Sequence, residues 1–304
     1  MRPSFSIIFF TVLSGAGYGL LFLAALGIAV GGTVGGRALA MLVAGGVLAS
    51  VGLLASLGHL GKPLRAWRAL SQWRSSWLSR EGVASLATYL PLLFLLSAGL
   101  LPALHASAAT LRIAAAALCL GATATVVCTA NIYASLKPVR AWHDPHVVAG
   151  YLLIGLHTGM AWWLAFAAGS PWPAWLLDVL LLAPACAVLK WRYWRSIDAA
   201  PAMPTPSAAT GLAGRVVSLE APHTEENYLT REMGFVLARK HARRLRRIVV
   251  VLFLLAPACA FALWLVLGWP AALAGLLAAM LAAFVERWLF FAEARHAVMA
   301  YYAR

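Results

Sequence analysis

His59, Arg65 and Glu81 stand out because side chains of these types, at this spacing, could move protons and charge beside a membrane. They lie in Gly58-His59-Leu60-Gly61-Lys62-Pro63-Leu64-Arg65-Ala66-Trp67 and, a little later, Ser79-Arg80-Glu81-Gly82. A neutral imidazole donates, accepts and shuttles a proton near neutral pH. A guanidinium holds a carbonyl oxygen or steadies a reduced, anionic one. A carboxylate at a helix start can pass a proton to water. Quinone chemistry needs such a set, with a donor to each carbonyl oxygen and a route for protons on every turnover. The plainer reading is that His59 caps a helix end while Arg65, Arg68 and Glu81 sit among lipid headgroups. Spacing alone leaves both readings open.

Other residues that invite chemistry are fewer. His157 falls deep in an apolar run, and Asp178 falls early in the next run, beside Trp172 and Trp175. Glu286-Arg287 ends the last apolar run, where the two could pair with each other. His143, Asp144 and His146 share one loop. Haem ligation needs two His, or a His and a Met, at matched depth on facing helices. His59 at an edge and His157 near a middle do not match, so no haem is expected. Cys119, Cys128, Cys186 and Cys259 each lie in an apolar run without a CxxC pair and read as small core residues. No close His/Cys/Asp group on one helix face reads as a metal site.

The elements that must carry these residues are membrane helices. The chain has 304 residues, 62% hydrophobic and 11% charged, far below the roughly one-quarter charged of soluble domains. Eight apolar spans can be drawn: Phe5 to Val30, Ala38 to His59, Gly82 to Leu101, Leu111 to Ala134, His146 to Ala168, Trp172 to Trp191, Ile248 to Leu267 and Ala271 to Phe291. About 20 helical residues cross a hydrocarbon layer of ~30 Å. Continuous apolar runs exclude a barrel, so the fold class is an all-α, polytopic integral membrane bundle, with residues 1–304 as one membrane domain. The first run is too long for a cleaved signal and lacks a clear small-residue cleavage site. Ser14-Gly15-Ala16-Gly17 and Gly45-Gly46 point to close helix packing, and Pro91, Pro184 and Pro257 to kinks. A multi-pass transporter would need ionisable residues at the midplane around interrupted helices, and only His157 is clearly deep.

Charge placement orients the bundle. Every Lys and Arg except Arg37 and Arg112 falls in the tails, at the last helix end, or in the segments after spans two, four and six. Positive residues favour the cytoplasmic side, so both termini are expected in the cytoplasm and the protein in the inner membrane. The net charge of +14 then reflects these loops rather than nucleic-acid binding. The long loop, 196–247, opens Pro-rich at 201–206 and carries Glu220, Glu225, Glu226 and Glu232. It closes on the basic run Ala238 to Arg247. That run reads as a juxtamembrane helix on anionic lipid or as a docking surface for a cytoplasmic partner, two compatible roles.

The stretch Ala55-Ser56-Leu57-Gly58-His59-Leu60-Gly61-Lys62-Pro63-Leu64-Arg65-Ala66, followed by Ser79-Arg80-Glu81, resembles the membrane anchor of the dimethyl sulfoxide reductase family. The opening Pro3 to Val12 and the Asn131-Ile132-Tyr133 end of span four are similar as well. The resemblance implies a three-subunit enzyme in which a molybdopterin catalytic subunit and an iron–sulfur subunit sit on an anchor that is not catalytic alone. It implies a quinone site, ubiquinone or menaquinone, at His59, Gly61, Arg65 and Glu81, and no haem. Docking of the partners is expected at Arg68, Arg74, Glu225, Glu226 and Tyr228. Because the basic loops are placed inside, the chain looks more similar to the sulfite-oxidising, cytoplasmic branch than to exported S-oxide reductases that oxidise menaquinol. Sulfite oxidation with quinone reduction is therefore the expected direction.

Overall fold

The structure, a computed structural model, describes residues 3–59, 62–101, 105–167, 171–199, 206–217 and 237–302. Within them run eight helices long and apolar enough to cross a membrane. They are α1 (Phe5–Gly31), α2 (Gly36–Ser56), α3 (Trp77–Leu100), α4 (Ala108–Ala134), α5 (His146–Phe166), α6 (Trp172–Asp198), α7 (Leu237–Leu267) and α8 (Trp269–Ala292). No strand forms among the described residues beyond one isolated bridge, Val139 to His296. In hydrocarbon every backbone N–H and C=O must be satisfied inside the segment, which leaves helix as the conformation of such runs. Polar residues fix the ends. Ser76 and Ser107 cap α3 and α4 by accepting from the N–H of Ser79 and Thr110. Gly32, left-handed at φ 69°, closes α1 with its N–H on the Ile28 carbonyl.

Three boundaries differ from the sequence reading. The α-helix of span two ends at Ser56, and His59 lies in a 3-10 turn beyond it. The third helix starts at Trp77 instead of Gly82, so Glu81 lies about one turn inside it and does not open it. The cause is Ser76, whose hydroxyl caps a turn that is too polar for a hydropathy reading to include. The seventh helix starts at Leu237 instead of Ile248, so the basic run Ala238 to Arg247 forms its first turns and leads unbroken into the span.

Contacts between helix ends define two faces. At one, called the near face, Ser196 Oγ donates to Asp144 Oδ2 at 2.6 Å. Arg246 there binds Asp198 through both terminal nitrogens, at 2.6 and 3.0 Å, and Glu293 at 2.9 Å. Burial pushes the Glu293 carboxyl above the usual carboxylate range, and Arg246 partly offsets that. The far face is tied by Trp269 Nε1 donating to the Ala165 carbonyl at 2.9 Å and by Trp172 edge-on to Trp264.

α1 and α5 are the most enclosed helices. They cross backbone to backbone at Gly15 and Gly19 against Gly155 and Gly159, two matched GxxxG pairs. A Cβ on Gly19 would collide with the Gly155 carbonyl, and one on Gly159 with the backbone of Gly19. α1 meets α2 in the same way, where a Cβ on Gly17 would stand 2.5 Å from Ala49 N. Gly159→Ala is expected to cost on the order of 1–3 kcal/mol by overpacking and to lower the melting temperature in detergent. Gly27→Ala on α1, with no heavy atom within 4 Å of the new Cβ, is expected to lose nothing. Equal melting temperatures for the two variants would contradict this crossing.

Candidate functional site

Beyond α2 the chain forms a ten-residue 3-10 element, Pro63–Gln72, that lies over the first turns of α3. Ser79 Oγ donates to the Ala69 carbonyl. Leu70 fills the space that Gly82 leaves open, where a Cβ would come within 2.7 Å of Leu70 Cδ2. Arg80 fastens the other end, donating to the carbonyls of Trp73 at 3.0 Å and Arg74 at 2.7 Å. Arg68 stacks over Trp67, Arg74 over Trp73 and Arg80 over Trp77, with the guanidinium 5.6, 5.4 and 4.3 Å from the ring centre. Arg65, Arg68 and Arg74 are exposed. The element is a basic and aromatic lid of the kind that sits at a membrane interface.

Glu81 is on the helix beneath this lid and points into the bundle, only 4% exposed. Its Oε1 lies 2.6 Å from the Thr129 hydroxyl of α4. Thr129 Oγ1 is also 3.0 Å from the Thr125 carbonyl, which can only accept. One hydroxyl proton cannot serve both oxygens. If it goes to the carboxylate, Glu81 is ionised. If it goes to the Thr125 carbonyl, Glu81 must donate, and is therefore neutral. Rotation of one hydroxyl thus accommodates either protonation state of a buried carboxyl. Further along α3, Ser85 meets the Tyr18 hydroxyl at 2.8 Å, Thr88 meets Thr125 at 3.3 Å, and Tyr89 meets Ser50 at 2.6 Å. Glu81, Ser85 and Thr88 recur at helical spacing and form one polar face.

This face leads to a second polar group under the near face. One turn beyond Thr129, Tyr133 stacks on Tyr151 with ring centres 6.0 Å apart. The Arg287 guanidinium lies 3.9 Å over the Tyr151 ring. Arg287 Nε pairs with Glu286 Oε2 at 2.6 Å, and Glu286 Oε1 pairs with Lys190 Nζ at 2.6 Å. All three charged side chains are buried. Pairing of Glu286 with Arg287 agrees with the sequence reading. Lys190 does not belong with the loop charges, because α6 continues to Asp198 and carries Lys190 inward onto α8.

Deeper, His157 of α5 meets Asp178 of α6, Nδ1 to Oδ1 at 2.7 Å. Asp178 opens a π-helical turn, Asp178–Leu182, in which the Ala183 N–H reaches the Asp178 carbonyl. Pro184 explains the widened turn, since its ring crowds the carbonyl four residues back and supplies no N–H.

Arg65 and Glu81 are not brought into contact, one being exposed and the other buried. Gly61, Glu225, Glu226 and Tyr228 lie outside the described residues, as does the side chain of His59. His143 Nδ1 meets the Ala134 carbonyl at 2.5 Å, and His146 meets Asp144 at 2.7 Å, so this loop braces α4 and α5. Among the described residues no three His, Cys, Asp or Glu side chains converge as a metal site. Cys186 is buried, Cys119 and Cys128 half-buried and Cys259 exposed, all as free thiols.

The sequence reading missed Thr129, Tyr151 and Lys190 as partners of the charged residues. A signal existed for the first. Thr125 and Thr129 are one turn apart on α4, and Glu81 with Ser85 on α3 is the matching pair. No spacing rule links Lys190 to Glu286.

Two comparisons bear on this arrangement. Residues 1–292 match the family described as DMSO reductase anchor subunit (DmsC). The chain is also 31% identical over 344 aligned positions to a sulfite dehydrogenase subunit from Allochromatium vinosum, covering 99% of both chains. With eight membrane helices, and with the lid and the buried Glu81 at the junction of the second and third, the chain belongs to the DMSO reductase anchor subunit family.

Proposed function

We propose that this protein anchors a molybdopterin and iron–sulfur oxidoreductase to the inner membrane and exchanges its electrons with a quinone at the near face. The observation that carries this reading is Glu81, a buried carboxyl under a basic lid, held by a hydroxyl that suits either of its protonation states. The donor types suit a quinone headgroup. Glu81 exchanges a proton, Arg65 on the lid steadies charge on an oxygen, and His59 at the end of the preceding turn donates to a carbonyl and relays its proton. Gly61, which follows His59 by two positions in the sequence, belongs to the same proposed site. Bound there, a quinone supplies the acceptor for an electron pair and for the protons that these side chains bring.

The near face carries the exposed Arg68 and Arg74, and the sequence adds the acidic and aromatic residues Glu225, Glu226 and Tyr228 in the loop 196–247. These form the docking surface for the iron–sulfur subunit, which brings its clusters to the lid, with the molybdopterin subunit beyond it. The excess of Lys and Arg at this face favours the cytoplasmic side for it and for both termini. The similarity to a sulfite dehydrogenase subunit favours sulfite as the substrate of the catalytic subunit. Sulfite gains an oxygen from water, becomes sulfate, and releases the electron pair and protons that the quinone takes up. The family's name keeps one second reading, an anchor that oxidises menaquinol for an S-oxide reductase.

The test is His59→Ala in the assembled complex. Sulfite oxidation with a soluble dye is expected to be intact, while electron transfer to quinone is lost. Normal quinone turnover would remove His59 from the site. Reduction of an S-oxide by added quinol, without sulfite activity, would favour the second reading.

A further inference from the structure

The His157–Asp178 pair belongs to neither the Glu81 site nor the charged group at Glu286. It sits between the middle of the bundle and its far face. His157 is about 16 Å up α5 from the near face, and Asp178 about 9 Å from the far end of α6, at 1.5 Å per residue. His157 is fully buried, and Asp178 and Trp175 are each 2% exposed. All three line one small cavity between α5, α6, α7 and α8, closed by Leu164, Pro257 and Gly275.

Two hydrogen-bonding atoms of these lining residues have no partner among the described residues, His157 Nε2 and the indole Nε1 of Trp175. A buried polar atom without a partner is costly, and two on the walls of one cavity point to a shared ligand. The cavity has room for about one water molecule and none for a ring. Its chemistry suits water. The indole can only donate, and with Nδ1–H given to Asp178 the imidazole Nε2 accepts. A water can take the first bond and give the second. The order is then indole, water, imidazole, carboxylate, each donating to the next.

We propose that His157, Asp178 and Trp175 form a binding site for a water molecule and, through it, for a proton. With the imidazole neutral and Asp178 ionised, the pair carries one uncompensated negative charge in a low-dielectric interior. A proton delivered by the water to Nε2 turns it into an imidazolium–carboxylate pair with no net charge. Among the described residues no other charged group lines the cavity. α7 presents Phe253, edge-on to the imidazole at 5.6 Å, and Pro257. α8 presents Gly275, Leu276 and Ala279, and the next titratable group along α6 is the buried thiol of Cys186. The π-turn that starts at Asp178 is a feature that recurs at functional sites in helices. The site is independent of quinone chemistry at Glu81.

Solid-state NMR of the full chain in lipid bilayers, labelled with nitrogen-15 histidine, tests this without any activity assay. The His157 signal is identified by its loss in His157→Gln, or by its shift in Asp178→Asn should the first variant not fold. Expected are a cross-peak from Nε2 to exchangeable water and interconversion between neutral and doubly protonated imidazole as pH is lowered. Trp175→Phe should weaken the water cross-peak, and Asp178→Asn should change the Nδ1 signal by replacing its carboxylate acceptor. A His157 that keeps one protonation state at every pH and shows no water at Nε2 would overturn the proposal.

Discussion

Glu81→Gln in the assembled complex is expected to slow quinone-linked turnover by about 100-fold or more, the usual loss when a positioned acid–base group is removed, and to spare the dye-linked rate. The amide keeps the size and the contact with the Thr129 hydroxyl but cannot gain or lose a proton. The buried position makes the effect large, because bulk water cannot easily stand in for the missing carboxyl. Glu81→Asp retains the acid but withdraws it from Thr129, 2.6 Å away in the native arrangement, and should fall between the two. Thr129→Val removes the rotating hydroxyl and should slow the reaction less than Glu81→Gln. The measurement is quinol formation against dye reduction in the same preparation. Unchanged quinol formation in Glu81→Gln would exclude the carboxyl from proton delivery, whatever role His59 plays.

The second large effect concerns stability, and its sign depends on which member of a buried group is changed. Lys190, Glu286 and Arg287 bring two cations and one anion together with almost no exposure. Glu286→Gln leaves both cations unpaired in the interior, a loss of about 3–5 kcal/mol for a broken buried pair. The variant should fail to accumulate in the membrane or should melt far below the native protein. Lys190→Met is expected to be much milder. It removes one cation, keeps an apolar stem of similar length, and leaves Glu286 balanced by Arg287. Thermal unfolding in detergent, followed by loss of monodisperse protein, compares the two. If Lys190→Met is as damaging as Glu286→Gln, the group is not organised around its single anion.

The same charged residues show the limits of reading a chain by hydropathy. Lys190 looks like a loop residue because a lysine near the end of an apolar run normally reaches for the headgroups. Here it reaches sideways to Glu286, on a helix almost a hundred residues later in the chain. His157 and Asp178 were each visible as polar residues in apolar runs, yet they are separated by a loop and lie at different distances from the helix ends. Only the packing of α5 on α6, with the widened turn at Asp178, places the two nitrogen and oxygen atoms 2.7 Å apart.

What the sequence determined by itself is the solvent and the topology. Long apolar runs have one stable conformation in lipid, and most loops between them are short, so eight spanning helices and a strongly basic face follow from composition and order alone. The short motif around His59 and Glu81 also pointed to the junction of the second and third helices, because its residues are close along the chain. Tertiary structure decided which polar groups meet. It turned Glu81 inward onto Thr129, gathered Lys190, Glu286 and Arg287 into one group, and joined His157 to Asp178. The physical reason is that helix periodicity gives the direction of a side chain relative to its own axis, whereas its partner depends on how the axes pack and rotate against one another. That is set here by matched glycines such as Gly19 and Gly159, whose significance appears only when the two helices touch.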